Sequence, residues 1–262
     1  MKPSLLKYID TLPIEDRLIA KRTLDLCEQA QSAWIYKSTD FLSLHEQSLS
    51  QRIVNAFSDL KHYFSGITQY AERKVLYIYD EQVYKQDWTH ESIALMYGAL
   101  HDSKTPRHQD ILGSLLALGI QRQKIGDIYV GDSFFCFFVK KELVSFIEAH
   151  FSKVGKSPIV LSEKPIDEGL DLRHDFKIEQ YIVTSLRADT MVSTIAKKSR
   201  SKAAAIIDGG GFKLNGKVHT KKQTFLAIGD VFSIHKVGKF CFLEVVKTTK
   251  KGNQVVQVEK YL

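Results

Sequence analysis

At 262 residues, with 44% hydrophobic and 11% aromatic residues, the chain holds apolar material for roughly two or three folded cores, which excludes a disordered or collagen-like class. Three scattered cysteines, Cys27, Cys136 and Cys241, show neither CxxC nor metal-ligand spacing, against a disulfide framework or a zinc site. The net charge of +7 is concentrated: residues 172–262 hold 17 Lys and Arg against 7 Asp and Glu, whereas the first 171 hold 20 against 23. A basic surplus confined to one region is the expected footprint of a polyanion-binding surface. The start, Met1-Lys2-Pro3-Ser4-Leu5-Leu6-Lys7, meets charge too early for a signal peptide. No apolar run approaches the roughly 20 residues that span a bilayer, so a cytoplasmic protein with no membrane partner is expected.

Residues 1–70 read as a helical N-terminal subdomain. Over Ile14–Ala33, Leu18, Ile19, Leu24, Leu26 and Cys27 recur near helical spacing. Ser43-x-x-Glu46 is a capping-box pattern, in which a hydroxyl and a carboxylate each satisfy a backbone N–H, and it predicts a second helix. Leu49, Ile53, Val54 and Phe57 would form its buried stripe.

Residues 71–175 alternate strand and helix. Strands are predicted at Lys74–Tyr79 and Ile93–Leu100. A helix follows from Thr105-Pro106, with threonine as N-cap and proline at the first position, and with Ile111, Leu112, Leu115, Leu116 and Leu118 on its apolar face. Ile125–Val130 and Ser133–Val139 read as strands joined at Gly131-Asp132, then a helix over Lys141–Val154 and a strand at Pro158–Leu161. The order βαββαβ is the ferredoxin-like arrangement shared with RNA-recognition motifs (RRMs). Alternation puts Phe134, Cys136 and Phe138 on one face of the third strand, and Phe135 and Phe137 on the other. One face must meet the helices; the other either stacks bases or packs on the N-terminal helices.

In residues 176–262, Phe176–Thr184 is predicted as a strand. A short helix opens at Leu186-Arg187-Ala188-Asp189, turns Met191, Val192 and Ile195 inward, and closes at Lys197-Lys198, where positive charge suits the negative end of its dipole. Ser199-Arg200 opens a second helix with Ala203, Ala204, Ile206 and Ile207 packed on the first, ended by Asp208-Gly209-Gly210-Gly211. Phe212–Leu214 is a strand that turns at Asn215-Gly216, and Ala227-Ile228-Gly229-Asp230 turns into a strand over Val231–Ile234.

The spacing of Leu186-Arg187, Ser199-Arg200, Gly210, Asn215-Gly216 and Gly229-Asp230 resembles the S4-type (αL) RNA-binding domain. Together with Thr105-Pro106-Arg107-His108-Gln109-Asp110-Ile111-Leu112-Gly113 and Leu118–Ile128, it is similar to the YlmH family of bacterial RNA-binding proteins. The resemblance implies an α+β chain in three parts: a helical start, an RRM-like centre and a C-terminal S4-type domain. It further implies a non-catalytic protein that docks on structured RNA, rRNA or tRNA on the large ribosomal subunit, in ribosome-associated quality control. No cofactor or metal is expected, and a monomer is the default state. The chain departs from the S4-type pattern at Gly238-Lys239-Phe240, where arginine would precede the phenylalanine; lysine keeps the charge and loses the bidentate fork.

The expected mechanism is electrostatic docking. Lys197, Lys198, Ser199, Arg200 and Lys202 on the helices, and Lys213, Asn215, Lys217, Lys221 and Lys222 on the hairpin, would face phosphates. Arg187 either joins them or pairs with Asp189; Ser199 is either a ligand or a cap; Gly210 and Gly216 are turn residues. Two other classes remain open. His101, Asp102, His108 and Asp110 cluster before a helix, and would suit a nuclease or RNA-modifying enzyme with an S4-type targeting domain. A cell-division adaptor would use the acidic first 171 residues. Neither a Walker loop nor a glycine-rich strand-to-helix turn for a methyltransferase cofactor is present.

Overall fold

The computed structural model describes residues 3–33, 36–68, 70–80, 91–99, 106–155, 157–166, 172 and 176–261. It divides into two compact units, Met1–Arg173 and His174–Leu262.

The first unit opens with helices α1 (Pro3–Thr11), α2 (Ile14–Ala33) and α3 (Leu44–Val54), but it is not all-helical. Strands β1 (Lys37–Leu42) and β2 (Leu60–Ser65) flank β3 (Lys74–Asp80) in an antiparallel sheet of order β1-β3-β2. The strand that chain order groups with the middle segment is therefore the centre of the N-terminal sheet. Its run Val75-Leu76-Tyr77-Ile78 is wholly buried because both faces are covered. Leu76 and Ile78 meet Cys27, Ala30 and Val54 of the helices, whereas Val75 and Tyr77 meet Cys136 and Phe138. The capping box forms as expected, with Glu46 Oε2 accepting from the Ser43 N–H at 2.6 Å. Of the apolar residues at helical spacing in α2, Leu24 and Cys27 are buried and Leu18 is 55% exposed.

The second sheet contains β4 (Ile93–Ala99), β5 (Ile125–Val130), β6 (Phe134–Lys140) and β9 (Val160–Lys164), in the order β5-β6-β4-β9. With α4 (His108–Ala117) after β4 and α5 (Val144–His150) after β6, the chain order is βαββαβ and the two strands that precede helices are central, the ferredoxin-like arrangement. Phe135 and Phe137 lie under the helices with Ile111, Leu115 and Ile147. Cys136 and Phe138 face Phe41, Val75 and Tyr77 of the first sheet, so packing wins over base stacking there. The sheets approach closely: a Cβ on Gly126 would fall 2.7 Å from the Phe41 ring.

Two helix boundaries differ from expectation. Helix α4 starts at His108 with Arg107 as its cap, because the Asp110 carboxylate accepts from the Arg107 backbone N–H at 3.0 Å and so satisfies an otherwise orphan donor. Pro106 precedes the helix, and Thr105 lies outside the described residues. Helix α5 stops at His150, not at Val154; Phe151 leaves helical geometry (φ −94°, ψ 75°) to bury its ring, 3% exposed. Beyond it, β7 (Lys153–Val154) and β8 (Ser157–Pro158) form a small hairpin around Gly155 at φ +59°.

Buried cations tie the two sheets. Arg73 Nη2 donates to the Phe41 carbonyl at 2.6 Å and its Nε to that of Ile125 at 3.1 Å, while Asp127 accepts from the backbone N–H groups of Glu72 and Arg73 at 2.6 and 3.2 Å. Lys140 Nζ donates to the Thr39 carbonyl at 3.1 Å. Burial lowers the pKa of Arg73 and Lys140, and that of Arg122, with Arg73 adding repulsion, to about 10.

In the second unit, β10 (Phe176–Val183), β11 (Phe212–Leu214), β12 (Lys217–Val218), β13 (Val231–Ile234), β14 (Gly238–Thr248) and β15 (Gln254–Tyr261) make an antiparallel sheet of order β10-β15-β14-β13-β11-β12. Helices α6 (Ala188–Ile195) and α7 (Arg200–Asp208) pack with it around Met191, Val192, Ala203, Ile207, Phe212, Phe232, Phe240, Phe242, Val256 and Val258.

Candidate nucleic-acid interface

Helix α6 is capped by Arg187, in extended conformation at φ −63° and ψ 144°. Its side chain folds back on the first turn, with Nε donating to Asp189 Oδ1 at 3.0 Å and Nη2 to Oδ2 at 2.9 Å. Of the two readings of Arg187, the structure displays the paired one. Asp189 is a hub: Arg200 Nη2 lies 3.6 Å from its Oδ2, and its backbone N–H donates to the Lys222 carbonyl at 3.1 Å. Burial works against the Asp189 carboxylate, but the Arg187 hydrogen bonds and the charges of Arg187 and Arg200 outweigh it and hold the carboxyl below its ordinary value.

Both helices end in the same way. In α7, Gly210 stands at φ +73°, its N–H donating to the Ile207 carbonyl, and the Gly211 N–H reaches that of Ile206 at 2.8 Å. This is a Schellman motif, which satisfies the last carbonyls of the helix. In α6 the Lys197 N–H reaches Thr194 and the Lys198 N–H reaches Ser193 at 3.0 Å, and here the left-handed position, φ +51°, is held by Lys197. A lysine thus sits where glycine would be less strained.

The tight α6–α7 turn brings Lys197, Lys198, Ser199, Arg200 and Lys202 together on exposed positions. Ser199 is the N-cap of α7, accepting from the Lys202 N–H at 3.4 Å. The hairpin residues do not all join this group. Lys213 pairs with Val218 and Leu214 with Lys217, so alternation places Lys213 and Lys217 on opposite faces. Asn215, at φ +51° beside Gly216 at +85°, makes the expected turn. Its side chain donates to Asp230 Oδ1 and accepts from the Val231 N–H, both at 2.9 Å, which locks the two turns together. Lys221 is exposed, whereas Lys222 Nζ pairs with Asp208 at 2.8 Å. Lys239, at the departure from the S4-type pattern, lies 5.0 Å over the Tyr261 ring.

One residue that sequence pattern does not mark borders this group. Phe225 stands opposite Arg187 in an isolated antiparallel bridge and is 66% exposed. A lone phenylalanine in a loop has no periodicity to single it out. Of the cluster considered for metal or nuclease chemistry, His101 and Asp102 lie outside the described residues, and Asp110 is engaged by the Arg107 backbone and guanidinium.

Residues 15–83 match the family model "YlmH, N-terminal" and residues 86–168 match "Putative RNA-binding domain in YlmH". A relative from Bacillus subtilis (strain 168), named ribosome-associated protein quality control protein P2, is 26% identical over 246 residues, spanning 94% of this chain and 95% of the relative. Among solved structures, the cell division protein ylmH from Streptococcus pneumoniae is similar in fold, with a TM-score of 0.52 at 20% identity, over 61% of this chain and 97% of that one. With two consecutive segments matching models of one family, the chain belongs to the YlmH family.

Proposed function

We propose that this is a non-catalytic RNA-binding protein whose second unit, an S4-type module, docks on structured RNA by phosphate contacts. The target is rRNA or tRNA on the large ribosomal subunit, and the role is quality control of stalled translation by a cytoplasmic monomer. The observation that carries this reading is the exposed turn Lys197-Lys198-Ser199-Arg200 with Lys202. Its backbone is pinned by a Schellman motif and an N-cap, so little backbone entropy is left to lose on binding. A left-handed lysine costs on the order of 1 kcal/mol, strain of a kind that clusters at functional sites. Positions that carry the S4-type resemblance are fixed by two separate polar groupings, Asn215 on Asp230 and both Arg187 and Arg200 on Asp189. The name of the Bacillus subtilis relative supports the ribosomal setting.

The test is sedimentation of the tagged protein with ribosomes through a sucrose gradient. Arg200→Ala with Lys202→Ala should move the protein from the ribosomal fractions to the top of the gradient. Co-sedimentation equal to wild type would overturn phosphate docking by this turn. A cell-division adaptor is the second reading, favoured by the name of the Streptococcus pneumoniae structure; it expects division-site localisation to survive the same double change.

A further inference from the structure

We infer that Phe225 is a stacking platform for one unpaired base of the bound RNA. On this assignment the preferred target is a helix interrupted by a loop or bulge, not continuous duplex. The inference rests on the RNA-binding reading above and adds a preference among RNAs that phosphate contacts alone do not provide.

In the second unit, Phe212, Phe232, Phe240 and Phe242 are fully buried, whereas Phe225 is 66% exposed. Its backbone is not loose. The Ala188 N–H donates to the Thr224 carbonyl at 2.8 Å and the Leu226 N–H to that of Leu186 at 3.0 Å, which clamps Phe225 from both sides. Leu226 is 2% exposed and anchors in the core, so alternation aims the Phe225 ring outward. Directly opposite stands Arg187, whose guanidinium is already fixed on Asp189, and Arg200 reaches the same carboxylate. Lys221 and Lys222 lie a few residues before Phe225 in the same loop.

The result is an exposed aromatic side chain on a clamped backbone, across the bridge from Arg187. Every base has a π-face, and stacking on an aromatic ring favours a base free of its helix. A paired base in A-form duplex cannot offer its face to Phe225 without being unstacked, whereas a loop base can. Lys221, exposed in the same loop, would hold a flanking phosphate while the ring takes the base.

The test uses the full-length protein with two labelled RNAs, a hairpin with a purine loop and an uninterrupted duplex of the same stem sequence, read by fluorescence anisotropy. Phe225→Ala should weaken hairpin binding about tenfold and leave duplex binding within about twofold. Phe225→Trp should retain hairpin affinity, and Phe225→Leu, apolar but without a π-face, should not. Matching thermal midpoints among the variants confine the comparison to binding. The inference is overturned if Phe225→Ala binds the hairpin as wild type does, or loses both RNAs equally. Full rescue by leucine would also overturn it, because the contact would then need apolar bulk and no π-face. If Arg200→Ala weakens both RNAs while Phe225→Ala weakens neither, stacking alone falls. If wild type binds neither RNA, the RNA-binding reading falls with it.

Discussion

The Arg187 guanidinium and the Asp189 carboxylate face each other through two hydrogen bonds of 3.0 and 2.9 Å across the first turn of α6. Arg200 at 3.6 Å from the same carboxylate makes Asp189 the point where both helices of the second unit are held to one charge. Two arginines of the cationic surface are thus held by one largely buried acid.

Removing that charge has a pH signature. The folded-state pKa of Asp189 lies below its unfolded value, so its contribution is complete above the ordinary carboxylate value of about 3.9 and is lost as pH falls through the folded value. Asp189→Asn should destabilise the protein by about 2 kcal/mol at neutral pH, since it replaces two charge-assisted bonds. The variant should also lose less stability than wild type when urea unfolding is repeated at pH 3. Parallel losses for the two proteins would show that Asp189 is not held ionised by the arginines.

Lys197 separates stability from binding. Lys197→Gly relieves a left-handed side chain at φ +51° and removes one cation. It should be as stable as wild type or about 0.5 kcal/mol more so, the strain relieved being partly offset by backbone entropy. Its RNA affinity should fall about threefold in anisotropy titrations. Affinity unchanged with stability raised would show that the position serves no ligand.

Asp127 is the corresponding point in the first unit, 6% exposed and accepting from two backbone N–H groups. Asp127→Ala would leave those donors unsatisfied beside the buried Arg73. Chemical denaturation should show a loss of about 3 kcal/mol. A loss under about 1 kcal/mol would mean that the carboxylate is replaced by solvent at little cost.

Much of the second unit is legible in sequence because its turns are written in residues with few alternatives. Asn215-Gly216 and Gly210 take the left-handed conformations that those residue types suggest, and Ser199 caps α7 as expected. Strands β14 and β15 are harder to read, although Phe240, Phe242, Val256 and Val258 alternate in the core, since β14 is interrupted by register shifts that blur its period. In the first unit, β1 and β2 escape notice because Lys37–Leu42 and Leu60–Ser65 are short and rich in polar residues.

The two faces of β6 can be separated by alternation, but not assigned. That Phe138 packs on a second sheet depends on where Val75 and Tyr77 lie, a tertiary relationship no local pattern encodes. At the candidate site, charge counting locates the basic region, yet which cations are already committed is invisible to it. Lys222 pairs with an aspartate fourteen residues upstream, Asp208, and Lys213 and Lys217 part across the hairpin only once its register is known.

The salt dependence of RNA binding tests the central claim most directly. For the wild-type protein and a structured RNA, log K should fall linearly with log salt concentration, and replacing Lys197, Lys198, Arg200 and Lys202 by alanine should flatten the slope by roughly 0.7–0.9 for each phosphate no longer neutralised. An affinity indifferent to salt, or a slope the four substitutions leave unchanged, would contradict docking through this surface.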